Sequence, residues 1–157
     1  MSEGNGHETA GRIGLLERLS AGPVICAEGY VFELERRGYL QAGSFVPEVV
    51  LEHPEVVRQL HLDFVRAGSD VVETLTYYGH REKLRVIGKE DVLEPLNRQA
   101  LAIAKEVALE TGALFAGDIC NTNLFVDGDE SSASAARGIF EEQVGWAVEA
   151  GVDYVVA

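Results

Sequence analysis

Short apolar, β-branched runs recur along the chain, at "PVICA" (23–27), "DVVETL" (70–75), "ALFAGDI" (113–119) and "DYVVA" (153–157). Each has the length and composition of a buried strand. Three of the four follow a helical pattern that closes on a glycine, at Gly68, Gly112 and Gly151. Glycine adopts the left-handed conformation that ends a helix without steric cost. The likeness of "AGSDVV" (67–72) to "AGVDYVV" (150–156) points to one helix–turn–strand unit used more than once.

The intervening stretches carry helical periodicity. Pro54 suits a first helical position, and Val57, Leu60 and Phe64 then share a face. Leu96, Ala100, Ile103, Ala104 and Val107 form a stripe within 94–110. Ile139, Phe140, Val144, Ala147 and Val148 form another within about 134–150, and a shorter helix is expected over 32–37, stopped by Gly38. Strands alternating with helices define a parallel α/β architecture. Strand starts at 23, 70, 113 and 153 match a (β/α)8 TIM-barrel type of fold, of which the first four β/α units are present. A Rossmann-type sheet is the rival. It calls for G-x-G-x-x-G after the first strand, whereas "CAEGYVFELERRG" offers Gly29 alone within the turn.

Charge narrows the partners. With 13 Lys and Arg against 26 Asp and Glu, the formal charge is −13. That balance excludes a phosphate-backbone partner and adsorption to an anionic membrane. No window reaches the apolar length of a membrane span. The polar, Gly-rich residues 1–12 are expected to be a disordered lead-in to one domain over 13–157, in a cytoplasmic protein. Two cysteines make no disulfide framework.

In parallel β/α folds, ligands meet the carboxyl ends of the strands. The first run delivers Glu28, Gly29 and Tyr30; the second delivers Thr76, Tyr77, Tyr78, Gly79 and His80; the third delivers Asp118, Cys120, Asn121, Thr122 and Asn123. Glu28 suits a cationic group, with Gly29 allowing close backbone approach, although a solvated loop carboxylate is the plainer reading. Tyr77 and Tyr78 offer faces to a cation and hydroxyls to hydrogen bonds, against a plainer role in packing. Cys26 reads as a small buried hydrophobe, and Cys120 as the better functional candidate. His53 and His61, eight residues apart, are too far apart for the i, i+4 metal pair and are expected on helix surfaces.

The ordered run "VFELERRGY", then "PEVVLEHPEVVRQLH", then "FVRAGSDVVETLTYY", with "LFAGDICNTN" and "VDYVVA" beyond, resembles the homocysteine-binding domain of betaine–homocysteine S-methyltransferases. The likeness covers roughly residues 13 to 157 and corresponds to the N-terminal half of that domain. It implies a (β/α)8 barrel in which Zn2+ binds the homocysteine sulfur, which takes a methyl group from betaine or a similar donor to give methionine. It places Glu28 and Gly29 at the amino-acid end of homocysteine, where many relatives carry Asp-Gly-Gly and this chain carries Ala27-Glu28-Gly29. Tyr30, Phe45, Tyr77 and Tyr78 fall at aromatic positions around the donor, and Phe45 stands where betaine-using relatives often have tryptophan. The family's zinc cysteines are implied to lie in the second half of the barrel, so no metal ligand is assigned here, Cys26 and Cys120 included.

Ala157 accordingly reads as a cut rather than an end, and the 157 residues alone are expected to be inactive. The competing reading is a non-catalytic half-barrel that self-associates or pairs with a complementary chain through open strand edges, as a homo-oligomer or otherwise. A nucleotide-binding α/β protein is third, for want of a phosphate loop.

Overall fold

In a computed structural model of the chain, the structure describes residues 13–40 and 48–157. The expected lead-in, 1–12, and Phe45 lie outside the described residues. Among those described, three strands form one parallel sheet in the order β1 (Val71–Glu73), β2 (Leu114–Asp118), β3 (Tyr154–Val156). Val71 pairs with Leu114, and Ala116 pairs with Tyr154. The helices are α1 (Leu15–Ala21), α2 (Tyr30–Arg36), α3 (Val49–Glu52), α4 (Pro54–Arg66), α5 (Arg81–Val86), α6 (Leu93–Thr111) and α7 (Glu130–Ala150). A 3-10 turn over Glu90–Val92 leads into α6.

The predicted strand over 23–27 is reduced to one parallel bridge, between Cys26 and Val71. Side chains have taken the backbone donors that a ladder would use. Ile25 N–H donates to Asp70 Oδ2 at 2.9 Å, and Ala27 N–H donates to Ser69 Oγ at 3.0 Å. The chain still runs beside β1, because Asp70 N–H donates to the Ile25 carbonyl at 2.8 Å.

Helix ends follow their local chemistry. Pro54 opens α4, and Gly112 and Gly151 close α6 and α7 with φ of 74° and 79°. Helix α7 begins earlier than its apolar stripe implies. Asp129 caps it, accepting from the N–H groups of Ser131 at 2.9 Å and Ser132 at 3.4 Å. The buried face of α7 is Ala136, Ile139, Gln143 and Ala147. Val148, read as part of the buried stripe, is 69% exposed, because the sheet is met by the small residues of the helix rather than its valines.

Period-two alternation sorts the strand residues onto two faces. Val72 and Phe115 point toward Leu62 of α4, Leu101, Ala104, Val107 and Ala108 of α6, and Ala147 of α7. Val71, Leu114 and Ala116 occupy the opposite face, where Leu15 of α1, Val24 and Cys26 pack against them. A second cluster joins Tyr30 and Leu34 of α2 to Val49 and Val50 of α3 and to Val57 and Leu60 of α4.

His61 is a correction: expected on a helix surface, it is 1% exposed. It sits on the apolar side of α4, with Nδ1 3.1 Å from the Tyr30 hydroxyl. Burial pushes its pKa down to about 3, so the ring is neutral at ordinary pH.

Among the described residues Phe115 is the largest fully buried side chain, and it touches the helix layer from the central strand. Phe115→Ala is expected to lower the unfolding free energy by about 3–5 kcal/mol, read by urea titration.

Candidate functional site

The carboxyl ends of the strands open onto a cavity of about 490 Å3. Glu73 ends β1, Asp118 ends β2 and Val156 ends β3, and all three line it. The register explains the grouping. Cys26, Val71 and Glu73 alternate onto one face of the sheet, and Leu114, Ala116 and Asp118 stand on that same face of the next strand. The apolar members are buried under α1, and the carboxylates emerge where the ladder stops.

Glu28 and Gly29 reach the cavity from the segment after Cys26. Gly29 takes φ 93° as it turns the chain into α2, a conformation a bulkier residue resists. Tyr30 also borders the cavity, but its body is buried and its hydroxyl is turned to His61. Burial raises the Tyr30 pKa, so the hydroxyl keeps its proton.

Four carboxyls line this space, Glu28, Glu35, Glu73 and Asp118, and all but Glu35 act on one another. Burial pushes Asp118 up to about 7, with repulsion from Glu73 and then Glu28 adding to it. Glu73 is also raised by burial, opposed by a hydrogen bond from Cys26. That bond, from Cys26 Sγ to Glu73 Oε2, is 3.0 Å long. Burial and this bond together push the Cys26 thiol up to about 12, so it is a donor to Glu73 and stays protonated.

Of the predicted aromatic residues, Tyr77 lines the cavity. Tyr78 packs against it, with ring centroids 4.2 Å apart, and Lys83 Nζ lies 4.3 Å from the Tyr78 centroid on a cation–π contact. The hydrogen bond to Tyr78, followed by burial, pushes the Tyr77 phenol up to about 12. Thr76 is not brought into the cavity. It is buried, and its Oγ1 donates to the Asp118 carbonyl at 2.6 Å. Cys120 accepts from Tyr78 N–H at 3.2 Å, and His80 caps α5, its Nδ1 accepting from Lys83 N–H at 3.3 Å.

Sequence pattern alone gives Glu73 no role and marks Asp118 only as a strand-end residue. A signal was present: each is a single carboxylate closing an otherwise apolar strand, with the parity that puts it on the α1-facing side.

The zinc implied by the resemblance finds no donor set here. Among the described residues no group of three or more His, Cys, Asp or Glu is placed to hold a metal ion, and a Cys26 thiol held protonated beside a carboxylate has the wrong chemistry for a ligand. No helix among the described residues is long and apolar enough to cross a membrane.

The parallel α/β sheet thus carries a cavity walled by carboxyl and tyrosine side chains at its carboxyl ends, where folds of this class bind ligands. The comparisons make this particular. A family profile described as homocysteine S-methyltransferase matches residues 25–157. Betaine–homocysteine S-methyltransferase 1 of Xenopus tropicalis is 41% identical over 95% of this chain and 38% of its own length. The same enzyme of Bos taurus is 40% identical over 92% of this chain and 36% of its length. The chain belongs to the homocysteine S-methyltransferase family and spans well under half the length of these relatives. The crystal structure of the homocysteine methyltransferase MmuM from Escherichia coli, in its metallated form, shares the fold. Its TM-score is 0.70 at 23% identity, covering 89% of this chain and 55% of that one.

Asp118 sets a pH dependence. Its folded pKa is raised, so the folded state keeps the proton longer than the unfolded chain does. Stability from this group is present below about pH 4 and is lost as pH rises through about 7. Asp118→Asn is expected to flatten the decline in unfolding free energy over that window, measured by urea titrations at a series of pH values.

Proposed function

We propose that this chain supplies the substrate cavity of a homocysteine S-methyltransferase that moves a methyl group from betaine, or a similar donor, to the homocysteine sulfur. The observation that carries the reading is the cavity itself, with four carboxyl side chains and a tyrosine face at the strand ends of a chain in this family. Homocysteine presents an ammonium group, which carboxylates recognise by charge-assisted hydrogen bonds. A quaternary ammonium has no N–H to donate and is recognised by aromatic faces and by charge.

Glu28 and Gly29, with Tyr30 behind them, are assigned to the amino-acid end of homocysteine. Glu28 acts one position after the aspartate of many relatives. Tyr77, braced by Tyr78 and by the Thr76 turn, is assigned to the donor, as is Phe45. In the reaction, the sulfur lone pair forms the S–CH3 bond while the donor's N–CH3 bond breaks. The electron pair stays on the amine nitrogen and the thiol proton is released. Most of the acceleration this chain can provide is the holding of donor and sulfur in line.

The reading includes a (β/α)8 barrel in which the Cys26 bridge and the three strands are consecutive staves, supported by the likeness to the Escherichia coli structure. It also assigns the family's zinc ligands to polypeptide outside the residues described here. Two free thiols suit a cytoplasmic location. Association through strand edges is a part of this reading only as a route to a complete barrel, because family membership favours the enzyme over a non-catalytic half-barrel.

The test is to read the transcript past codon 157 and to assay the polypeptide from the whole reading frame with homocysteine and betaine. Methionine and dimethylglycine are expected, with Tyr77→Ala raising the KM for betaine about tenfold and Glu28→Gln raising that for homocysteine. The 157 residues alone are expected to transfer nothing. Turnover by them alone, or none by the whole frame with betaine or with a sulfonium donor, overturns the proposal.

A further inference from the structure

The loop that carries Tyr77 is unusual in how it is held. Tyr78 has φ 59°, a left-handed conformation that a bulky side chain adopts only when its surroundings impose it. The turn closes through Gly79 N–H to the Thr76 carbonyl at 2.7 Å. Gly79 is tightly enclosed: a Cβ there would stand 3.0 Å from Leu96 Cδ2 and 3.0 Å from the Thr76 carbonyl oxygen.

Two buried amides meet the Gly79 carbonyl of that turn. Asn97 of α6 and Gln143 of α7 are 2% and 4% exposed, at positions where the helix stripes otherwise place apolar residues. Asn97 Nδ2 donates to the Gly79 carbonyl at 2.7 Å and to the Leu93 carbonyl at 2.8 Å. Gln143 Nε2 donates to Asn97 Oδ1 at 3.1 Å and reaches the Gly79 carbonyl at 3.4 Å. Buried amides in a helix–sheet interface are costly unless satisfied, and when satisfied they specify one arrangement.

One atom of this set, Gln143 Oε1, has no hydrogen-bond partner among the described residues. Beside Gln143 is a small space of about 10 Å3, with Thr76, Asn97 and Asp118 among its other walls. That is the room of a single water molecule, with polar groups enough to hold it.

We propose that Asn97, Gln143 and one water bound between Gln143 and the Thr76–Asp118 wall form a lock on the Gly79 carbonyl, and that this lock orients the tyrosine face of the cavity. Asn97 and Gln143 are thus positioning residues, acting through the loop and not on a ligand. The water donates to Gln143 Oε1 and ties α7 to the hydrogen-bonded pair of Thr76 and Asp118. The consequence for methyl transfer rests on the function proposed above, while the lock itself does not.

The experiment follows amide hydrogen exchange by NMR in the 157-residue chain. The Tyr78 and Gly79 amides are both hydrogen-bonded and report the loop, and the Phe115 amide reports the core. Gln143→Met is expected to speed exchange at Tyr78 and Gly79 at least tenfold with Phe115 unchanged, and Asn97→Leu to do the same. In the unaltered chain, a magnetisation-transfer cross-peak between water and the Gln143 side-chain amide is expected, absent in Gln143→Met. Equal acceleration at all three amides would make these residues merely structural and overturn the lock. An unchanged loop would overturn it too, as would a missing water cross-peak for its water. Should either variant fail to fold, the other and the cross-peak decide. A separate titration with betaine in the whole-frame protein is expected to show at least a threefold rise in KM for Gln143→Met with kcat retained. If unaltered protein shows no betaine turnover while the exchange results hold, the functional reading fails and the lock stands.

Discussion

Strand β2 is hydrogen-bonded along both edges and buried from Leu114 to Gly117, and the rest of the molecule is arranged around that requirement. A parallel strand with neighbours on both sides needs cover on both faces. Helices α4, α6 and α7 cover one face around Phe115. On the other face, Leu114 and Ala116 are covered by Leu15, Val24 and Cys26. Gly117 shows how close the helix layer comes, since a Cβ there would lie 3.3 Å from Ala147 Cβ. Where that burial stops, at Asp118, polar chemistry begins.

The cavity's electrostatics follow from the same geometry. Parallel strands in register deliver Glu73 and Asp118 to one face, at the same end, with Glu28 nearby. Carboxyls so grouped and partly desolvated resist ionising together, which is why Asp118 is held near neutrality and why the Cys26 thiol remains a donor to Glu73. A cation entering such a space relieves repulsion as well as gaining attraction. The tyrosine wall depends on a different set of forces, the buried amides of α6 and α7 meeting the loop after β1. The two walls of the cavity are thus built by different layers of the fold.

Much of this was legible in the chain. The runs at 70–75, 113–119 and 153–157 each contain a strand, and the glycines at 112 and 151 do close helices with positive φ. Pro54 opens α4 as its ring predicts. Less legible was the run at 23–27, where the donors of Ile25 and Ala27 go to Asp70 and Ser69 side chains that periodicity cannot count. His61 misled because a histidine in a polar-looking helix reads as solvated, whereas its partner, Tyr30, lies 31 residues away. Of the candidate site, Glu28, Gly29, Tyr30 and Tyr77 were marked in advance and do border one cavity; Thr76 and Tyr78 stand behind it. Glu73 went unassigned because a carboxylate in a strand looks like an interruption until the register shows which face it joins.

The sequence by itself determined the parallel α/β class, the helix stops and the family, because each rests on local conformational preference or on an ordered run of residues. Tertiary structure alone decided that Glu73, Asp118 and Glu28 share a cavity, that Cys26 donates to Glu73, and that Asn97 and Gln143 reach the Gly79 carbonyl. These contacts join residues at least 18 positions apart. They exist only once strand register and helix packing bring those positions together, and no local propensity encodes such a distance.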